Sequence, residues 1–171
     1  MSEKPGANIG IVRGDVTALD VDAIVNAANT TLLGGGGVDG SIHRAVGPDL
    51  LAECRTLGGC KPGEAKLTRG YRLAARFVIH TVGPLWTGGE RGEAQTLANC
   101  YRNSLQLAVE NGIKTIAFPA ISCGAYGYPI REATHIAVET TRDYLATEDT
   151  IDKVIFVVAN DEILRAYRQL L

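Results

Sequence analysis

Short β-branched runs alternate with helical patterns from one end of this 171-residue chain to the other, which leaves few folds open. Strands are expected at Ile9 to Val12, Ala23 to Asn26, Ala65 to Thr68, Phe77 to Val82, Thr115 to Pro119 and Lys153 to Val158. Several have little polar interruption, as strands covered by helices on both faces should. Between them, Leu97, Tyr101, Leu105, Ala108 and Val109 recur at helical spacing, and Ile136, Val138, Tyr144 and Leu145 belong to a second helix opened by Pro129. A third helix is expected from Val38 or Gly40. A last one runs from about Asp161, with Ile163, Leu164, Tyr167 and Leu171 on one face. The pattern predicts a three-layer α/β domain around a largely parallel sheet. No linker, low-complexity tract or repeat divides residues 1–171, so a single domain is expected.

Composition narrows the function classes. The formal net charge is −2 and the sequence pI about 5.9, which argues against a duplex-binding domain or broad RNA affinity but leaves room for a small phosphorylated ligand. Apolar runs fall short of the roughly 20 residues of a membrane helix, and the first ten residues lack the apolar stretch of a signal peptide. A cytoplasmic protein is expected. The four cysteines, Cys54, Cys60, Cys100 and Cys123, show neither a zinc nor a disulfide spacing, so reduced, mostly buried thiols are expected.

Two long loops carry the chemistry, and each directly follows an expected strand. The first runs from Asn26 to Gly40 and contains Gly34 to Gly37; the second runs from Ala120 to Tyr128. Four successive glycines are entropically costly to order, so a folded chain that keeps them needs unusual φ angles or a very close backbone approach. Loop N–H groups that lead into a helix N-terminus make an anion-binding concavity, and two such loops at the carboxyl ends of strands suit a diphosphate. The alternative for Gly34 to Gly37 is a plain turn. Neither a Walker-type ending nor the dinucleotide fingerprint is present. Asp39, a carboxylate close to an anion site, fits an uncharged part of the ligand or a water, or else an N-cap. His43 follows it by one helical turn and could face the same pocket; a satisfied, partly buried histidine is the alternative, and His80 and His135 carry less signal. The frame around Ser122 and Cys123 lacks the Gly-x-Ser-x-Gly of a nucleophile elbow, so a backbone-donor loop is favoured over a nucleophile.

Taken together, Gly14 to Thr17, Asn26 to Asn29, Gly34 to His43, His80 to Pro84 and Ala120 to Pro129 resemble the macrodomain family, specifically its MacroD-type branch, over essentially the whole chain. The resemblance implies an α/β/α macrodomain with a central mixed, largely parallel sheet and an ADP-ribose pocket. Asp15 would bond the adenine amino group, the first glycine loop would wrap the diphosphate and distal ribose, and the second would close over the diphosphate from Ser122 to Tyr126. It further implies ligand contacts at Val16, Asn29, Gly36, Gly37, Val38, Asp39, Ser122, Cys123, Gly124, Ala125 and Tyr126, with Tyr126 against the distal ribose. Asn29 would orient that ribose and Asp39 a water, giving hydrolysis of ADP-ribose esters on aspartate or glutamate side chains and deacetylation of O-acetyl-ADP-ribose. No metal or cofactor is implied. A non-catalytic ADP-ribose reader and a regulator acting through RNA or a protein partner are the alternatives. Asn26 is assigned to loop structure. Asn160 stands where the family often has an aromatic that stacks on adenine.

Overall fold

The computed structural model describes residues 8–171. Strands β1 (Asn8–Arg13), β2 (Ala23–Ala27), β3 (Ala65–Arg69), β4 (Phe77–Thr81), β5 (Thr115–Pro119) and β6 (Lys153–Val158) form one sheet in the order β1-β6-β5-β2-β4-β3. Every neighbouring pair is parallel except β3 with β4, so the sheet is mixed and largely parallel, as the alternation predicts. The helices are α1 (Gly37–Val46), α2 (Pro48–Arg55), α3 (Glu93–Glu110), α4 (Ile130–Thr147) and α5 (Asp161–Leu170), with a 3-10 turn at Val16–Ala18. Helix α2 and the 3-10 turn were not expected from sequence. In α2 only Leu50 and Cys54 are buried, one turn apart, too little periodicity to read as a helix despite the proline start signal at Pro48.

Period-two alternation along the strands divides the core. Ala23, Val25, Ile116, Phe118, Val154, Phe156 and Val158 face α3, α4 and α5, where Tyr101, Phe118, Phe156 and Tyr167 form an aromatic cluster. The intervening Ile24, Ala117, Ile155 and Val157 face Ile42 and Val46 of α1 and Leu50 of α2. The result is three layers, each helix covering the face its apolar stripe matches.

Strands β2 and β5 make the site. Their register consists of Ala23↔Ile116 and Ile24↔Ala117, whereas β2 stays paired with β4 along all of its length. Beyond Ile24 the two strands part. The chain leaving β2 enters α1 on one face, and the chain leaving β5 enters α4 on the other, which makes this a topological switch point with its crevice at the carboxyl ends.

A buried carboxylate holds the loop before α3, which is tied to the loop leaving β5. Glu93 opens α3 at 3% exposure; its Oε2 accepts from the N–H of Thr87 (3.0 Å) and of Gly89 (2.9 Å), and Oε1 from the N–H of Arg91 (2.6 Å). The Thr87 bond above all, against the opposing effect of burial and aided by Gly89 and Arg91, holds the Glu93 carboxyl down to about 2. The same loop carries Trp86, the only tryptophan, whose ring lies 4.6 Å from that of Tyr128 and whose backbone N–H donates to the Tyr126 carbonyl at 2.9 Å.

A carboxyl held lower in the folded than in the unfolded chain adds stability above the unfolded value of about 4.3, and that stability is lost as pH falls towards about 2. Glu93→Gln is therefore expected to melt below the parent at pH 7, with the gap closing as pH falls from about 4.5 towards 2. Melts followed by Trp86 emission measure this; a constant gap across that range would refute the role.

Candidate functional site

Asn29 organises the first glycine loop. Its Oδ1 accepts from the N–H of Thr31 (3.1 Å), the Thr31 hydroxyl (2.6 Å) and the N–H of Leu32 (3.2 Å), and its Nδ2 donates to the Gly34 carbonyl (2.8 Å). Leu32 is held at φ 62° yet fully buried. Such a conformation costs about 1–3 kcal/mol, and burying a leucine contributes about 1.5–3 kcal/mol, so the anchor fixes the loop with little net change in stability. A Cβ at Gly40 would drive into the Gly35 carbonyl, so only glycine lets the loop lie on α1. The N-cap of α1 is Gly36, which makes no side-chain bond, and the first-turn amides are left for an anion.

Asp39 is thus inside the first turn rather than at the cap. It is 5% exposed and turned beneath the glycine loop. Asn26 Nδ2 donates to its Oδ1 at 2.8 Å, while Oδ2 lies under Gly35, where a Cβ would stand 3.2 Å away. His43 Nε2 is 3.4 Å from Oδ1, long for a full hydrogen bond. The geometry thus divides the two asparagines differently from the sequence assignment: Asn29 holds the loop through both ends of its amide, and Asn26 contacts Asp39.

The second loop leaves β5 through Ser122, at φ 65°. The Ser122 hydroxyl donates to the Pro84 carbonyl at 2.8 Å and is buried, so it serves as an anchor and not as a nucleophile. Burial pushes the Cys123 thiol up to about 12, which leaves it protonated near neutrality. Gly127 N–H to the Gly124 carbonyl (3.0 Å) and Tyr128 N–H to the Ser122 carbonyl (2.9 Å) fold the loop back on itself. Tyr128 is buried against Trp86, whereas Tyr126 is half-buried.

Between these loops lies a cavity of about 560 Å³. Of the expected residues, Asp15, Val16, Gly37, Val38, Cys123 and Gly124 line it; Asn29, Gly36, Asp39, Ser122, Ala125 and Tyr126 do not. Asp15 caps the 3-10 turn, its Oδ1 accepting from the N–H (2.9 Å) and hydroxyl (2.7 Å) of Thr17. Asn160 is also on the wall, but its side chain accepts from the Ile163 N–H at 2.9 Å and caps α5. Arg44, the one cation among the described residues that line it, was not picked out from sequence, although it follows Ser41 by three helical positions and contacts its hydroxyl at 3.3 Å. A larger cavity, about 930 Å³, lies between α4 and α5 beside Trp86, and no expected site residue borders it. Among the described residues, no group of three or more His, Cys, Asp or Glu side chains is placed to hold a metal.

Fold and site together define an α/β/α domain that presents backbone amides and one sheltered carboxylate at a switch-point crevice. The chain belongs to the Macro domain family, whose model matches residues 25–137. It is 55% identical to an O-acetyl-ADP-ribose deacetylase of Klebsiella pneumoniae over 94% of each chain. It is 56% identical to the ADP-ribose glycohydrolase MACROD2 of Xenopus laevis over 94% of this chain and 39% of that one. Among solved structures, the Trypanosoma brucei macrodomain in complex with ADP-ribose superposes with a TM-score of 0.90 at 49% identity, covering 95% of this chain and 68% of that one.

Burial raises all four thiols, Cys54 and Cys100 to about 11, Cys60 upward and Cys123 to about 12, and all are free. Titration with a chromogenic disulfide at pH 7.5 is expected to be slow in the native protein and to count four thiols after unfolding. A rapid native burst at Cys123 would restore it as a nucleophile candidate.

Proposed function

We propose that this protein is an ADP-ribose-binding hydrolase that cleaves esters at the distal ribose, freeing aspartate and glutamate side chains of ADP-ribose and deacetylating O-acetyl-ADP-ribose. The observation that carries the reading is the placement of Asp39, inside the first turn of α1, with Asn26 on one oxygen and the side-chain-free Gly35 over the other. A pure reader gains nothing from a carboxylate beside an anionic ligand, whereas a hydrolase needs a group that orients water.

In this reading the diphosphate lies on the first-turn amides of α1, Gly37 and Val38 among them, with Gly124 facing it across the cavity. Both Thr17 bonds to Asp15 fall on Oδ1, which leaves Oδ2 for the adenine amino group. Asn160 supports no stacking because it caps α5, so the base rests on the apolar wall of Val16, Val157 and Val158 and beneath the Arg44 guanidinium. The distal ribose extends past Gly35 towards Asn29, Asp39 and Tyr126. A water held by Asp39 Oδ2 gives up a proton to that oxygen as its own oxygen bonds to the ester carbonyl carbon; the bond from that carbon to the ribose oxygen breaks, Asp39 passes the proton to the departing ribose oxygen, and ADP-ribose and the free carboxylic acid leave. Residues 1–171 act as one domain, in the cytoplasm, on ADP-ribosylated proteins or O-acetyl-ADP-ribose.

Release of ADP-ribose from a glutamate-linked ADP-ribosylated protein, and of acetate from O-acetyl-ADP-ribose, tests the activity. Binding without release would favour the reader. Asp39→Ala is expected to lower turnover by about 10²- to 10⁴-fold while ADP-ribose affinity, measured by calorimetry, holds or improves. Unchanged turnover would remove Asp39 from the mechanism.

A further inference from the structure

The face of the sheet under α1 and α2 is largely apolar but carries a small group of buried polar side chains, with Lys66 beside them as the register partner of His80, its ammonium bonded to the Leu57 and Gly59 carbonyls. Asn26 of β2, His80 of β4 and Thr68 of β3 form that group at 1% exposure or less, and Asn26 and His80 are direct register partners. Polar groups buried in an apolar layer are costly unless paired, so their pairing carries information. Asn26 Nδ2 donates one hydrogen to Asp39 Oδ1 at 2.8 Å and lies 3.1 Å from His80 Nδ1. An amide nitrogen cannot accept, so Nδ1 is bare and the ring proton sits on Nε2, which donates to the Thr68 hydroxyl at 2.9 Å. That hydroxyl has its own acceptor in the Arg69 carbonyl at 3.3 Å. The remaining neighbour of Nε2 is the Cys54 thiol at 4.0 Å.

The tautomer and the orientation of the Asn26 amide are coupled. A ring with its proton on Nδ1 would reward the reverse amide, and Asn26 Oδ1 would then meet the Asp39 carboxylate, acceptor against acceptor. In the observed arrangement Asn26 Oδ1 is buried without a hydrogen-bond partner, so the amide's own surroundings do not select the orientation; its two nitrogen contacts do.

We infer that His80 is a positioning residue for ester hydrolysis: its neutral Nε2–H tautomer sets the Asn26 amide to donate to Asp39 Oδ1, leaving Oδ2 for the water. The inference rests on the role of Asp39 proposed above. Burial, and after it the charge of His43, pushes His80 down to about 3, so the ring stays neutral through the working range. His80 touches no substrate; it acts through Asn26.

Three measurements test this. His80→Leu, which keeps the volume but removes the acceptor, is expected to lower kcat by about 10- to 100-fold with KM and the ADP-ribose Kd within about twofold. His80→Asn, whose amide oxygen can stand near the place of Nδ1, is expected to recover most of that loss. Equal damage in both variants, or a loss that appears in Kd and follows thermal stability, would make His80 a packing residue and overturn the inference. Should His80→Leu not fold, long-range ¹H–¹⁵N spectra of the parent decide: a bare Nδ1 and protonated Nε2 from pH 8 to about 5 support it, and an Nδ1–H tautomer refutes it. Full activity in His80→Leu beside an inactive Asp39→Ala would sink this inference alone, whereas an active Asp39→Ala would sink the reading on which it rests.

Discussion

The site depends on β2 and β5 pairing at their start and separating towards their carboxyl ends. Two register pairs join them, whereas β2 pairs with β4 and β5 with β6 over five pairs each, along the full length of β2 and β5. Pro119 at the end of β5 has no N–H to extend the ladder, and the two chains then leave for opposite faces of the sheet. A crevice therefore opens without any cavity having to be cut into the core. Both glycine-rich loops are tied to the same rim by anchors of different kinds: a buried Leu32 and the Asn29 bonds on one side, and the Ser122 hydroxyl and the Trp86 loop on the other. These anchors supply order to segments whose own glycines oppose it.

How much of this could be read from sequence follows from how local each signal is. The six strands and the four longer helices rest on periodicity within a few residues; the structure places the strands and the starts of α4 and α5 within one or two residues, starts α1 one residue before Val38 and three before Gly40, and extends α3 and α4 beyond their apolar repeats, while the convergence of the loops followed from their place after strands. Helix α2 escaped because two buried residues in eight make no period, and the 3-10 turn because three residues make none. The division of work between Asn26 and Asn29 was not legible for another reason. Either asparagine fits a strand exit, and only the register of β2 on β4 shows that Asn26 stands beside a histidine 54 positions along the chain. His80 carried no signal of its own, since a single histidine in an apolar strand is also an ordinary core residue.

The likeness to ADP-ribose-bound relatives and the local physics meet at Asp39. A carboxylate and a diphosphate would repel one another if they shared the end of α1 on equal terms, by about 4 kcal/mol per unit charge pair at 4 Å in a partly solvated site. The fold separates them by direction. Amides of the first turn point out along the helix axis, where phosphate oxygens can meet them, while the Asp39 side chain turns inward to Asn26. Each anion then has its own donors, and the positive end of the helix favours both.

That separation also explains why a glycine stands between them. Gly35 crosses directly over Asp39 Oδ2 and Asn29 Nδ2, and a methyl group there would meet these atoms at 3.2 and 3.3 Å. Such a group would crowd the carboxylate and press on the Asn29 amide that holds the loop. The four-glycine run is therefore not uniform in its purpose. Gly34 supplies a left-handed turn at φ 94°, Gly35 passes over the acid without a side chain, and Gly36 and Gly37 bring the backbone into the helix whose first turn lines the cavity. One segment without side chains thus turns its backbone to the cavity on one side and lies close over a buried carboxylate on the other.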